Sequence, residues 1–247
     1  MEPDESEMQT RYSFKGGQRG RYAHLFPQAP SVMVSQETTA IKEENAIMAV
    51  AQLSRPPVIP DSKNETLTDE TLTDEYLMRL PNPPGGKWEV VDGRLHEVAT
   101  SGKHDQTVLW LGYIMMPYAI DLGMLTASSA GFRMAGGNLH VPDFGFTRYD
   151  RFPNSEVPDG FIEFTPDLAV EVISPSEKPA DMTRKVGEYF ASGARQVWHM
   201  FPETKTLIVF HSPTDAVTYQ PDDTLDLSDI LPGFQSRVSG LFGKPTG

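Results

Sequence analysis

Apolar and polar residues alternate along Lys87–Ala99 (KWEVVDGRLHEVA), on both sides of Asp92-Gly93. A period of two marks a strand with one buried face, and Asp-Gly favours the tightest hairpin turns, so the spacing predicts a β-hairpin. A helical stretch follows from about 103 to 122, with Val108, Leu109, Leu111, Gly112 and Met115 suited to packing. Pro117 is expected to kink or shorten it and Gly123 to end it. Trp110 and Tyr113 read as core positions, with self-association as the alternative. Short strand-like pieces come next at 124–128, 131–134 and 139–147.

The second half of the chain carries a sharper pattern. Leu168–Ile173 (LAVEVI) is a continuous β-branched run, as in a strand covered on both faces. Residues 178–192 form a helix with Pro179 in its first turn and Gly193 past its end. Gln196–Phe201 (QVWHMF) is again a strand. Strand, helix and strand in this order predict a right-handed parallel crossover. Leu207–Phe210 then returns as an antiparallel neighbour after the Pro202-Glu203-Thr204 turn. The expected class is α/β (α+β): a mixed sheet flanked by helices, with the hairpin and first helix in front.

Residues 1–64 show no sustained periodicity, and they are expected to form a disordered or loosely packed extension. A short helix over Glu43–Leu53 and a basic arm at Arg11–Arg21 are the only features within it. Residues 65–75 write the unit ETLTD twice, too short a period for a solenoid. Thr73 supplies a cap for a short helix that stops before Pro81. The domain is therefore expected to span 65–247.

Composition narrows the chemistry. There are no cysteines among the 247 residues, which excludes disulfides, thiolate zinc sites and cysteine nucleophiles. No apolar run reaches the ~18 residues of a membrane span, and the acidic start (MEPDESEMQT) is unlike a secretory signal, so a cytoplasmic protein without membrane attachment is expected. The net charge is −13; residues 65–247 hold 26 acidic and 14 basic side chains. Such a surplus repels a polyanion at long range. A basic strip or bound metal ions can invert the field inside one cleft. There is no Walker A loop, no G-x-G-x-x-G, no G-x-S-x-G and no H-E-x-x-H.

One residue breaks the apolar pattern of its own strand. Glu171 stands in the middle of LAVEVI, where an unpaired carboxylate costs several kcal/mol. A cation, a basic neighbour or a raised pKa must compensate, unless that face of the strand is open to water. Asp143, in Val141-Pro142-Asp143-Phe144, is either a turn residue or a second carboxylate on a neighbouring strand. Lys185 lies on the border of the apolar stripe Met182, Val186, Tyr189 and Phe190; it pairs with Asp181 or reaches Glu171. Asp167 fits a Pro-Asp turn, Ser174 and Ser176 follow the strand, and Ser176 suits a helix cap. His104 opens the first long helix as a cap or a base.

Taken together, PDFGFTRYDRFP, PDLAVEVISPSEKPADMTRKVGEYFASGARQVWHMFPETKTLIVF, DTLDLSDILPGF and the earlier WEVVDGRLHEV with His104 resemble the Uma-two family of restriction-type endonucleases, over about 70–243. That family is similar to PD-(D/E)XK nucleases, restriction-endonuclease-like proteins with a four-stranded mixed sheet holding one or two Mg²⁺ ions. The resemblance implies that Asp143 and Glu171 are the motif's acids and metal ligands, with the backbone carbonyl of Val172 as a further ligand. The usual lysine two residues after the acid is Ile173 here, and Lys185 on the following helix takes its role. Ser174 would stand near the metal, and an additional acid is expected from Glu97 or, less favoured, Glu89. The implied activity is Mg²⁺- or Mn²⁺-dependent hydrolysis of nucleic acid, DNA first, by an enzyme that forms a homodimer. Against it stands an inactive binding or assembly module with the same fold, which the acidic surface favours. An acidic DNA mimic would need carboxylates arrayed on one face, and here they are scattered.

Overall fold

The computed structural model describes residues 72–83, 86–175 and 177–243. The proposed extension 1–64, the helix at 43–53, most of the ETLTD repeat and the Ser176 cap lie outside the described residues. The first element is α1 (Asp74–Arg79), where the Thr73 hydroxyl accepts a hydrogen bond from Tyr76 N at 3.2 Å. Strands β1 (Gly86–Val91) and β2 (Arg94–Ala99) form the hairpin, with Asp92 at φ 51° and Gly93 at φ 70°. Two successive left-handed residues make the turn whose twist suits paired strands, and the Asp-Gly dipeptide tolerates it best.

Helix α2 spans Gly102–Ala119, capped by the Ser101 hydroxyl rather than by His104. Pro117 neither kinks it short nor ends it: Ile120 N still bonds Met116 O at 3.1 Å. The hydrogen bond that proline omits falls on the exposed side, beside Tyr113, where water can replace it. Two packing expectations are overturned, because Leu109 and Tyr113 point outward, whereas Trp110 is partly buried. Val108, Leu111, Met115 and Ala119 make the buried stripe instead. Gly123 is no helix terminator either. It opens β3 (Gly123–Ala127), where a Cβ would lie 2.2 Å from Thr147 O.

Strands β4 (Phe132–Arg133) and β5 (Leu139–His140) join the hairpin in a four-stranded sheet of order β2-β1-β5-β4. The run 139–147 is therefore not one strand. It leaves the first sheet at Val141-Pro142-Asp143 and enters a second as β6 (Phe144–Arg148). Proline has no N–H to continue a ladder, so the chain changes partners there. The second sheet adds β7 (Leu168–Val172), β8 (Gln196–Phe201), β9 (Thr206–Ser212) and β10 (Asp215–Tyr219), in the order β10-β9-β8-β7-β6-β3. Only β7 and β8 run parallel, joined by α3 (Pro179–Ala191); the other pairs are antiparallel. The sheet has six strands where the resemblance implied four, because β9 and β10 extend it as a hairpin. A short ribbon, β11 (Thr224–Asp226) with β12 (Gln235–Arg237), follows.

The two faces of the six-stranded sheet are both covered. Leu168, Val170, Val172, Trp198 and Met200 pack on α2 in one cluster, and Ala169 and Val197 pack with Val186 and Tyr189 of α3 in another. Alternation along β7 therefore sends residues 169 and 171 to the α3 side. Gly123→Ala is expected to destabilise the fold by about 1–3 kcal/mol in urea unfolding, since backbone of β6 blocks the new methyl. Gly136→Ala, whose Cβ would meet nothing within 4 Å, should be close to neutral.

Candidate active site

The crossing between sheets brings Asp143 under the hairpin, where it is 5% exposed. Its Oδ1 accepts from the Lys87 ammonium at 2.6 Å. Its Oδ2 accepts from Val172 N at 2.7 Å and lies 3.0 Å from His104 Nε2. Lys87 also donates to the Val141 carbonyl. The β6–β7 ladder pairs Phe144 with Val170, so an unbroken β6 would have met the Val172 N–H with its backbone. The Asp143 side chain takes that place. Carbonyl and N–H of one strand residue point to the same edge, so the Val172 carbonyl faces the Asp143 side of β7.

Glu171 is equally buried and turns toward α3. Its Oε1 accepts from the Tyr189 hydroxyl at 2.7 Å and from the Lys185 ammonium at 3.4 Å. Lys185 spans the gap between the layers, because it also donates to Glu89 Oε1 of β1 at 3.0 Å. Glu89 accepts in addition from Val141 N at 3.2 Å. His140 Nδ1 stands 3.6 Å from Glu89, an ion-pair distance rather than a hydrogen bond, and its Nε2 contacts Glu188. Arg184 closes this chain by donating to Glu188 at 2.8 Å.

Charge balance sets the state of each group. Burial pushes the Asp143 carboxyl up, but the Lys87 ammonium and His104 hold it well below the usual carboxylate range. Glu89 behaves likewise, held down by Lys185, His140 and Lys87 against its burial. Glu171 differs from both. Burial, then the charge of Asp143, raises its pKa in spite of Lys185. The Lys185 ammonium stays charged, because Glu171 and Glu89 outweigh its desolvation. His104 is also raised, by its bond to Asp143 acting against burial. Beside Glu171 in the parallel register is His199, whose pKa burial and the Lys185 charge press down to about 4. Its buried Nε2 has no hydrogen-bond partner among the described residues.

Of the residues singled out from sequence, the structure brings Asp143, Glu171, Lys185, His104 and the Val172 backbone into one cluster. An open cleft of about 860 Å³ leads to it, lined by Glu89, Glu171, Ser174, Glu177, Lys185 and His199. Ser174 is exposed at its wall. Glu97 lies on exposed β2 at the rim, outside the buried cluster, and Glu89 occupies the inner position that Glu97 had been given precedence for. Glu97 pairs with Trp88 and Glu89 with His96, so alternation puts the two acids on opposite faces of the hairpin. Lys185 ignores Asp181 and pairs across the layers. Asp167 is structural: it accepts from Arg148 N at 3.0 Å and pairs with Arg151.

Lys87, Tyr189, His140 and His199 escaped sequence reasoning. Lys87 and Glu89 lie on the polar side of an alternating strand, the usual mark of a solvent face. Partial burial and the charge of Glu171 raise Glu177, at the cleft mouth, to about 7. No set of three or more Asp, Glu or His side chains forms a metal cage among the described residues. The oxygen donors of the cluster are the Asp143 and Glu171 carboxylates, close enough for the charge of one to act on the other, and the Val172 carbonyl. Hard oxygens of this kind suit Mg²⁺, which takes few protein ligands and keeps several waters.

A mixed sheet covered by helices, with buried acids where two strands diverge, defines a restriction-endonuclease-like α/β fold. The chain belongs to the Uma2 family, described as "Putative restriction endonuclease", whose model matches residues 73–239. Among solved structures it is similar to one described as a putative nuclease belonging to DUF820 from Anabaena variabilis ATCC 29413. The two share 18% identity over 69% of this chain and 97% of that chain, with a TM-score of 0.57, a likeness of fold. No curated protein sequence matches.

Removing Lys185 tests the charge network directly. Lys185→Met leaves two buried carboxylates without their shared ammonium, a loss of about 3–5 kcal/mol at neutral pH. The depressed pKa of Glu89 means that its contribution is present above the unfolded value of roughly 4.3 and is lost as pH falls below it. The deficit of the variant should therefore be largest at neutral pH and shrink on acidification. Denaturant unfolding of both proteins across that pH range measures it.

Proposed function

We propose that this protein is a Mg²⁺-dependent endonuclease, with Mn²⁺ as an alternative ion, hydrolysing phosphodiester bonds of DNA in the cytoplasm. The observation that carries the reading is Glu171: a buried acid in an apolar strand that lines an open cleft and lies close enough to Asp143 to feel its charge. Asp143, Glu171 and the Val172 carbonyl would hold the ion. When bound, it polarises the scissile phosphate and lowers the pKa of an attacking water.

The protein groups have separate tasks. Lys185 places a permanent ammonium at the cleft floor, where negative charge builds on the phosphate. Glu89 and Tyr189 hold Lys185 and Glu171 in place, so neither has to reorganise during the reaction. His104 and Lys87 orient Asp143 from two sides. Arg94, Lys178, Arg184 and Lys185 line the same cleft together with the acids Glu89, Asp92, Glu97, Glu171, Glu177 and Asp181, so the side chains alone do not reverse the acidic charge of the chain there. A bound cation would supply the local positive field that a polyanionic substrate needs. Among the described residues no helix is long and apolar enough to cross a membrane.

The acidic surface favours a second reading, a nuclease fold retained as a binding or assembly module. Glu171→Gln and Asp143→Asn separate the two, because they keep shape and remove charge. Each should lower Mg²⁺-dependent cleavage of plasmid or oligonucleotide DNA by at least ~100-fold with unchanged far-ultraviolet circular dichroism. Calorimetric titration of Mn²⁺ should show binding to the parent protein and its loss in both variants. Binding without any cleavage identifies the module; undiminished cleavage in both variants refutes the assignment of the acids.

A further inference from the structure

Past its first turn, helix α2 is largely apolar on both its buried and its exposed face. From Gln106 to Ile120 it carries no charged residue, although Asp105 and Asp121 flank the run. One face is consumed by the core through Val108, Leu111, Met115 and Ala119. The opposite face leaves Leu109 71%, Tyr113 71%, Met116 45% and Ile120 58% exposed. Their spacing of four, three and four residues is that of a seam between two packed helices. A surface helix with one core face normally turns charged or polar residues outward.

We infer that this face is the interface of a homodimer, in which α2 packs against α2 of a second copy about a two-fold axis. This goes beyond the proposed activity and does not rest on it. Three observations select a second copy as the occupant. First, the stripe is uncharged while the chain is strongly acidic, so a basic or polyanionic partner finds no complement there. An identical stripe is complementary, since pairing the two desolvates no charge. Second, the four side chains expose on the order of 500 Å², near the upper limit for a monomer. With Trp110 and Tyr118 alongside, it approaches the ~800 Å² per partner of a stable complex. Third, the anchor is already ordered. The Trp110 indole donates to Gly240 O at 2.7 Å, and the Tyr113 ring lies 5.4 Å from that of Trp110. An aromatic held in place before binding loses little entropy on association.

The full chain has no native cysteine, which makes the test clean. Sedimentation velocity at micromolar concentration should give twice the 27.4 kDa chain mass, with association unchanged or tighter as salt screens the like charges. Leu109→Glu and Tyr113→Glu, at exposed positions, should each weaken the dimer at least ~30-fold while thermal unfolding still reports a folded chain. Tyr113→Cys or Met116→Cys, near the middle of the stripe, should oxidise to a covalent dimer, whereas Val217→Cys on the exposed edge strand should not. A monomeric parent chain, a dimer that survives both charge substitutions, or equal cross-linking at 113 and 217 overturns the proposal.

Discussion

Three carboxylates lie under the hairpin of this protein, and the architecture around them is what keeps them there. An acid removed from water has to recover its lost solvation from donors fixed in place. Asp143 does so from Lys87, His104 and the Val172 amide. Glu89 and Glu171 share Lys185, with Val141 N and the Tyr189 hydroxyl as second donors. Every one of these bonds joins different elements: β1 to the β5–β6 crossing, that crossing to β7, α2 to the crossing, and α3 to both sheets. The charge network is thus also the tie between the four-stranded and six-stranded sheets.

Breaking one member of such a network strands its neighbours, which couples the stability of the fold to the readiness of the site. The groups nevertheless differ in state: Asp143 and Glu89 are held ionised, while burial and the charge of Asp143 bias the Glu171 carboxyl toward its protonated form. Glu171 lies in a cleft whose walls carry both acidic and basic side chains. Helix α2 contributes twice: its first turn carries His104 to Asp143, and its buried stripe packs on β7 and β8.

Much of the fold was legible because local chemistry spoke for it. Thr73, Asp92-Gly93, Pro179 and Gly193 stand at the helix cap, the hairpin turn, the helix start and the helix end that their types favour. The parallel crossover from β7 through α3 to β8 follows from element order and handedness alone. The errors share a cause. A run such as 139–147 shows apolar residues throughout, yet which sheet each half joins depends on partners distant in sequence. Leu109 and Tyr113 look like core by type, and only the docking of the helix decides which side meets the sheet. Gly123 looked like a helix end, while its real constraint is the Thr147 carbonyl of a neighbouring strand.

The same division runs through the candidate site. By itself the sequence determined that an acid sits at 171 within an apolar strand, that an aspartate follows Pro142, and that a lysine borders the next helix. Those are statements about neighbours along the chain, where periodicity and side-chain type carry the information. Only the tertiary structure decided that the three converge, that Glu89 rather than Glu97 faces inward, and that Lys87, Tyr189 and His140 complete the set. The physical reason is that a polar residue on an alternating strand is compatible with water and with a buried counter-charge alike. What separates the two cases is the arrival of a second sheet, and nothing local to residues 87–89 records it.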